Sequence, residues 1–444
     1  MSDLPVVVVG AGPVGLAAAA ELAERGQTLL VLERGDHAGA AVAQWHHVRL
    51  FSRWAELVAP AARRLLEPQG WQHPDVDGYP TGEEWARLYL RPLADALGER
   101  VRFGAEVVGV ARRGRDRVVD DGRESEPLTV HVRTVDGGEE RITARAVIDA
   151  SGTWTSPNPL GGDGLPAIGE TAAADRIVYQ VPNLTDATVA ARYAGKHVVV
   201  AGSGHSALTA LVAFAGLAER HPSTRITWLL RRGTVGAVFG GGEADQLPAR
   251  GALGMRAKAA VEAGYITVVT GFRTEAVERG SDGRLVLLSS EGQRLEAVDE
   301  VAVLAGFRPD LSWLSEVRLA LDATLQAPVA LAPLVDPNVH SCGTVYPHGV
   351  KELAHPEPNL YLAGMKSYGR APTFLAMTGY EQVRSIAAAL AGDRESAERV
   401  ELVLPETGVC GGSGVFDAQP DDQSSCCGTP SGAQDLSLSA PSAR

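Results

Sequence analysis

The chain has 444 residues, 45% of them hydrophobic and 21% charged, with 54 acidic against 41 basic side chains for a formal net charge of −13. This composition is ordinary for a globular protein, and length alone suggests roughly three domains of about 150 residues each. The negative balance works against a generic electrostatic grip on nucleic acid or an anionic membrane, so a small-molecule partner is expected.

The opening segment MSDLPVVVVGAG lacks the basic start and long apolar run of a secretory signal and reads as a buried first strand. The segment VVVVGAGPVGLAAAAELAERGQTLLVLERG at 6–35 is a strand, a glycine turn, an Ala-rich helix and a second strand. Gly10 makes the tight turn, Gly12 removes a side chain that would keep backbone from a pyrophosphate, and Gly15 lets the helix lie close on the strand. The helix N-terminus offers unpaired N–H groups and a positive dipole end to phosphate. Glu33 lies 23 positions after Gly10, where a carboxylate accepts from an adenosine ribose.

Further along, residues 78–114 read as a helix with Trp85, Leu88, Leu93 and Leu97 near helical spacing, then the strand RFGAEVVGV. Segments 128–135 and 141–150 are expected strands joined by the hairpin signal VDGGEE, leading to VIDASGTWTSPNPLGGDG, a hinge by its Gly, Pro and Asn content. Residues 160–192 show no regular pattern. A second cradle follows at 193–233, with Gly202, Gly204 and Ala207 as G-x-G-x-x-A, but its next strand, RITWLL, closes on Arg231 and Arg232 rather than on an acid. A carboxylate there would repel a 2′-phosphate, whereas an arginine fork pairs with one, so NADPH is expected in preference to NADH. The apolar helix inside this cradle, SALTALVAFAGLA at 206–218, is shorter than the roughly 18 to 20 residues that cross a bilayer. Two cradles of opposite charge logic imply two dinucleotides, FAD in the first and a nicotinamide in the second.

Strands are expected near 266–271 and 284–289, and the chain should re-enter the first domain at VDEVAVLAGFRPDLSW. PNLYLAGMKSYGRAPTFLAMTGYEQVRSIAAALAGD at 358–393 reads as a strand, a glycine turn at Gly364 and a helix facing the flavin. From about Pro405 onward Gly, Ser, Asp, Gln and Pro dominate, as in a linker.

Residues 5–395 resemble the two-dinucleotide-binding flavoproteins, in particular the flavin-containing monooxygenase-like branch. The resemblance rests on both cradles, on DASGTWTSPNPLG as the hinge and on LAGFRPD as the return strand. PNVHSCGTVYPHG, GMKSYGRAPTFLAMTGYEQVRS and LPETGVCGG are similar to flavoproteins of bacterial arsenic-resistance operons. The branch's F-x-G-x-x-x-H fingerprint is not matched before the second cradle, and Met365 stands where disulfide reductases carry an acid after Gly364. The resemblance implies an α/β fold with two Rossmann-like domains, the NADPH domain inserted into the FAD domain. Expected boundaries are 1–158 and 304–400 for the FAD domain, 159–303 for the NADPH domain and 401–444 for a tail.

The expected cofactor-binding set is Gly10, Gly12, Pro13, Gly15, Glu33 and Arg34 at the first cradle and Gly152 at the hinge. Gly202, Gly204, His205, Ser206, Arg231 and Arg232 belong to the second cradle, and Gly364 and Thr373 to the last turn. In AQWHHVRLFSRW at 43–54, Gln44 and Arg49 are expected to act by hydrogen-bonding the flavin or its oxygen adduct, Trp45 to wall the pocket, and His46 or His47 to relay protons. Cys342 is the single cysteine before the tail and reads as a small buried hydrophobe.

No C-x-x-C occurs in the chain, so the usual internal dithiol relay is not expected. Cys410, Cys426 and Cys427 stand instead in the tail, where three thiolates suit a soft ion such as trivalent arsenic. A regulatory disulfide or incidental thiols are the alternatives, and zinc is less attractive because no tail histidine completes four ligands. The expected activity is NADPH- and FAD-dependent monooxygenation of a soft nucleophile such as a trivalent arsenical, in the cytoplasm, without nucleic acid or membrane. The alternatives are a flavin reductase of a metal or thiol compound and a metalloid-sequestering protein. A homodimer is expected only by analogy with the family.

Overall fold

The computed structural model describes residues 3–245, 247–338, 348–372 and 374–402. The four valines of Val6–Val9 form a strand buried on both faces. Such a run belongs inside a parallel sheet covered on each side. It pairs in parallel with Leu29–Leu32 on one side and Ala146–Asp149 on the other. Val101–Arg102 and Leu360–Leu362 complete the five strands. The helix Pro13–Glu24 covers this sheet with Leu16, Ala17, Ala18 and Ala19, none of which is exposed, and shares a core with the helix Ala376–Leu390. Alanine's small side chain permits that close approach.

The second five-stranded sheet is also parallel. His197–Ala201 lies at its centre, Arg225–Leu229 and Ile266–Val269 on one side, Glu300–Val303 and Ile177–Val178 on the other. All of its strands fall between Ala146–Asp149 and Leu360–Leu362 in the chain, so the second unit is an insertion into the first. Each parallel sheet is accompanied by a three-stranded antiparallel one. This is the expected α/β architecture with two Rossmann-like units.

Local differences from the sequence reading have physical causes. The expected strand RFGAEVVGV breaks at Gly104, whose φ of 64° turns the chain from the parallel sheet into the antiparallel strand Ala105–Arg112. Segment 141–150 divides likewise into Glu139–Ala144 and Ala146–Asp149, which belong to different sheets. Residues 160–192 are not wholly irregular. They hold the short strand Ile177–Val178 and the helix Ala187–Tyr193, whose cap Asp186 accepts from the Thr188 and Val189 amides at 2.7 and 3.2 Å. The helix Pro248–Glu262 was hidden by Gly251 and Gly254. Those glycines are close-approach residues: a Cβ on Gly254 would lie 1.8 Å from the Phe239 carbonyl oxygen. The strands Thr274–Arg279 and Arg294–Val298 also had no clear signal.

Candidate functional site

The first cradle is shaped by glycine. Gly10 has φ 99°, and its amide donates to the Leu32 carbonyl at 2.7 Å, which folds the turn back onto the sheet. A Cβ on Gly15 would stand 1.9 Å from the Gly10 carbonyl oxygen, so the helix seats on the strand only without a side chain there. Gly12 caps the helix at its N-terminus with nothing within 4 Å of its would-be Cβ, and Pro13 is the first helical residue. Glu33 is held as an acceptor at this wall: its carboxylate takes the Ala11 and Gly35 amides, each at 2.7 Å. Two oxygens with further lone pairs are thereby aimed beside the phosphate turn.

The second cradle repeats the plan. Gly202 has φ 134°, and a Cβ on it would meet the Leu304 carbonyl oxygen at 2.2 Å. Gly204 caps the helix His205–Arg220 and faces open space. His205 and Ser206 line the same cavity as Gly10, Gly12, Pro13, Glu33 and Arg34, a space of about 960 Å3. The His205 ring lies 4.9 Å from that of Phe51, centroid to centroid, so the inserted unit touches the 43–54 loop directly. Burial, reinforced by the Arg250 guanidinium, pushes the His205 imidazole down to about 4. It is therefore neutral at physiological pH.

Behind the first cradle lies a buried charge cluster. Asp149 ends its strand fully enclosed, and one oxygen accepts from the Ser151 amide at 3.0 Å and the Ser151 hydroxyl at 2.6 Å. Lys366, 1% exposed, places Nζ 2.7 Å from the other oxygen, off the line of a good hydrogen bond. The same ammonium donates to Ser151 Oγ at 3.1 Å and stands 4.6 Å over the Trp313 ring. Ser151, Trp313 and Lys366 all line the cofactor cavity. Asp149 and Trp313 were not singled out in the sequence; the acid closing the apolar run AVID was the available signal.

Gln44 and Arg49 both reach the cavity wall. Gln44 Oε1 accepts from Trp154 Nε1 at 2.9 Å and from Gln180 Nε2 at 3.4 Å, joining loop, hinge and inserted unit. Arg49 donates to the Tyr79 carbonyl and lies 3.8 Å from Glu84. Trp45 is pressed against Gly82, where a Cβ would meet the ring at 2.8 Å. His46 turns Nδ1 to the Ala43 carbonyl at 3.0 Å. Burial, then His46, holds His47 below its usual pKa; the Val181 and Pro182 carbonyls lie near, yet neither ring nitrogen makes an aligned hydrogen bond among the described residues.

Gly152, with φ 68°, and Gly364, with φ 72°, also line the cavity. Arg231 and Arg232 stand apart from it at the end of the strand Arg225–Leu229, where Arg231 Nη1 donates to the Gly162 carbonyl at 3.2 Å. Thr373, Cys342, Cys410, Cys426 and Cys427 lie outside the described residues.

Two glycine cradles, an acceptor carboxylate beside the first, and one cavity lined by the first cradle and by His205 and Ser206 of the second fit FAD and a nicotinamide dinucleotide. The family model for pyridine nucleotide-disulphide oxidoreductases matches residues 4–358. The chain belongs to that family. It is accordingly a flavin-dependent oxidoreductase using FAD and NAD(P)H. The indole-3-pyruvate monooxygenase YUCCA1 of Oryza sativa subsp. japonica is 32% identical over 203 residues, which cover 46% of this oxidoreductase and 43% of the rice protein. The match thus takes in less than half of that relative's length. A ferredoxin–NADP reductase of Ralstonia nicotianae is 27% identical over 323 residues, covering 71% and 73% of the two chains. In fold, the oxidoreductase is similar to the bacillithiol disulfide reductase Bdr of Bacillus cereus, with a TM-score of 0.63, 20% identity, and coverage of 88% and 99%. No helix among its described residues is long and apolar enough to cross a membrane.

Proposed function

We propose that this oxidoreductase is an NADPH-dependent, FAD-containing monooxygenase acting on a soft nucleophile S, with the balance S + O2 + NADPH + H+ → SO + H2O + NADP+. The observation that carries the reading is that the first cradle and the opening turn of the second cradle's helix, through His205 and Ser206, line one cavity while the chain contains no C-x-x-C to take electrons onward. Bound FAD would supply the chemistry, accepting hydride from NADPH and passing the electron pair to dioxygen. The rice relative, named as a monooxygenase, supports the same reading.

The protein's own residues orient and shield. Gly10, Gly12, Pro13 and Gly15 would admit the pyrophosphate, with Glu33 accepting from the ribose and Arg34, Gly152, Gly364 and Thr373 completing the FAD site. Gly202, Gly204, His205 and Ser206 would receive the second dinucleotide, and Arg231 with Arg232 would pair with its 2′-phosphate. Gln44 and Arg49 would orient the reacting groups by hydrogen bonding. Trp45, Phe51 and Trp313 would keep water out.

The specific substrate in this reading is a trivalent arsenical, collected by the thiols of Cys410, Cys426 and Cys427 in the cytosol. The test is anaerobic reduction of the FAD-loaded protein by NADPH, followed by air with and without methylarsenite. Bleaching by NADPH and faster reoxidation with one oxygenated product per NADPH are expected. Oxygen uptake indifferent to methylarsenite would remove the arsenical. Electrons delivered to a metal or thiol compound without oxygen would make the protein a reductase instead. Cys427→Ser should weaken methylarsenite binding and leave reduction by NADPH intact.

A further inference from the structure

A second cavity, of about 890 Å3, adjoins the cofactor cavity and shares Arg34, Gln44, Trp154 and Thr155 with it. Small-molecule sites span roughly 300–1,000 Å3, so the space suits a ligand of its own. Its walls come from the loop carrying Gln44 and His47, from the hinge after Gly152, and from residues 177–193 of the inserted unit.

The lining has a definite chemistry. Trp154 and Phe307 lie 4.9 Å apart at 33°, an aromatic surface on one side. The Tyr179 hydroxyl donates to Glu170 at 2.6 Å, which leaves the ring for packing. Gln44 spends its oxygen on Trp154 and Gln180, so its amide N–H groups remain as donors, and His47 lends a neutral imidazole with no aligned partner among the described residues.

Charge discriminates further. Arg34 and Arg192 line the cavity and no carboxylate does, although Arg34 lies 3.8 Å from Glu106 outside it. Arg192 is bound to Glu300 through Nε at 2.8 Å and Nη2 at 2.5 Å, but Arg176 shares that carboxylate at 3.3 Å. Arg176 also meets Asp175 at 3.5 Å, and Arg279 pairs with that same acid, so three guanidinium groups face two carboxylates and leave one positive charge in excess beside the cavity. A cationic ligand would be desolvated there without a counter-charge, which is costly, whereas an anion meets donors and a favourable field.

We propose that this second cavity is the substrate chamber and that it takes a small organic anion with an aromatic body. Calling the occupant a substrate rests on the monooxygenase reading; its binding does not. Arsenite and methylarsenite, both neutral and without an aromatic body, would gain little from these walls, so the arsenical that the chamber itself favours is one carrying an aromatic ring and an acid group.

The experiment is calorimetric titration of the FAD-loaded full chain with indole-3-carboxylate and with tryptamine, which pairs the same ring with opposite charge. The acid should bind one to one, at least tenfold more tightly than the amine. Val181→Trp, which fills the cavity, and Gln180→Glu, which puts a carboxylate in it, should each weaken the acid at least tenfold with FAD content unchanged. The acid should also alter NADPH consumption by the holoenzyme. No binding to FAD-loaded protein, equal binding of acid and amine, or indifference to both substitutions would overturn the proposal. Binding without any effect on NADPH consumption would overturn the role as substrate chamber. A protein that takes up no FAD would instead refute the cofactor reading, separately from the chamber.

Discussion

Replacing Lys366 by Met removes one ammonium and keeps most of the apolar stem against Trp313. Lys366 and Asp149 have side-chain exposures of 1% and 0%, so the surviving carboxylate would be left largely out of contact with bulk water. It would retain the Ser151 amide and hydroxyl, at 3.0 and 2.6 Å, and no cation. Breaking a buried pair from one side costs about 3–5 kcal/mol, a large share of the roughly 5–15 kcal/mol that holds a domain folded. The contrast is Arg63 with Glu67, an i,i+4 pair whose side chains are 56% and 44% exposed. Arg63→Ala should cost no more than about 1 kcal/mol. Urea unfolding of the apo protein, with FAD retention after gel filtration, reads both variants. Asp149→Asn in the Lys366→Met background removes the orphaned charge and should restore at least half of the loss. A single-variant cost below about 1 kcal/mol, or a double variant whose cost is the sum of the singles, would refute the reasoning.

Gly12→Ala and Gly15→Ala separate binding from folding. The first adds a methyl to open space and should leave stability within about 0.5 kcal/mol while weakening FAD at least tenfold; the second drives a Cβ toward the Gly10 carbonyl and should lower both, as flavin fluorescence titration and urea melts will show. His355 gives a pH signature: burial pushes its imidazole down to about 4, against about 6.5 in the unfolded chain. The unfolded state therefore binds the extra proton first, and stability present above pH 6.5 is lost as pH falls through 4. His355→Phe should remove about 3 kcal/mol of that dependence between pH 7 and 4, measured as the difference in melts; equal pH slopes in both proteins would contradict it. Arg231→Ala with Arg232→Ala should lower the NADPH-to-NADH ratio of kcat/KM at least tenfold, since each charge-assisted bond is worth about 1.5–3 kcal/mol; an unchanged ratio would place the 2′-phosphate elsewhere.

What could be read from the chain, and what could not, follows from the range of the forces involved. Glu33 and the Gly10 turn are linked by one strand, one helix and one strand, so their spacing in sequence nearly determines their spacing in space. The bond from Trp154 to the oxygen of Gln44 joins residues 110 apart and depends on how the inserted unit folds back, which no local pattern encodes. The helix Pro248–Glu262 was concealed for a related reason. Its glycines lower intrinsic helix propensity, and what compensates is the backbone of a neighbouring loop packed into the space they leave. The buried pair behind the cradle lies between these cases. An acid closing the strand Ala146–Asp149, of which every residue is buried, could not be left there unpaired, so a cation was owed to it from elsewhere. Only four of the chain's basic residues are lysines, and Lys196, Lys258 and Lys351 are exposed. Lys366 follows Leu360–Leu362, which pairs with that strand and sets Leu362 beside Asp149. Once the order of the first sheet is drawn, Lys366 is brought close to Asp149; before that, the lysine is indistinguishable from a surface charge.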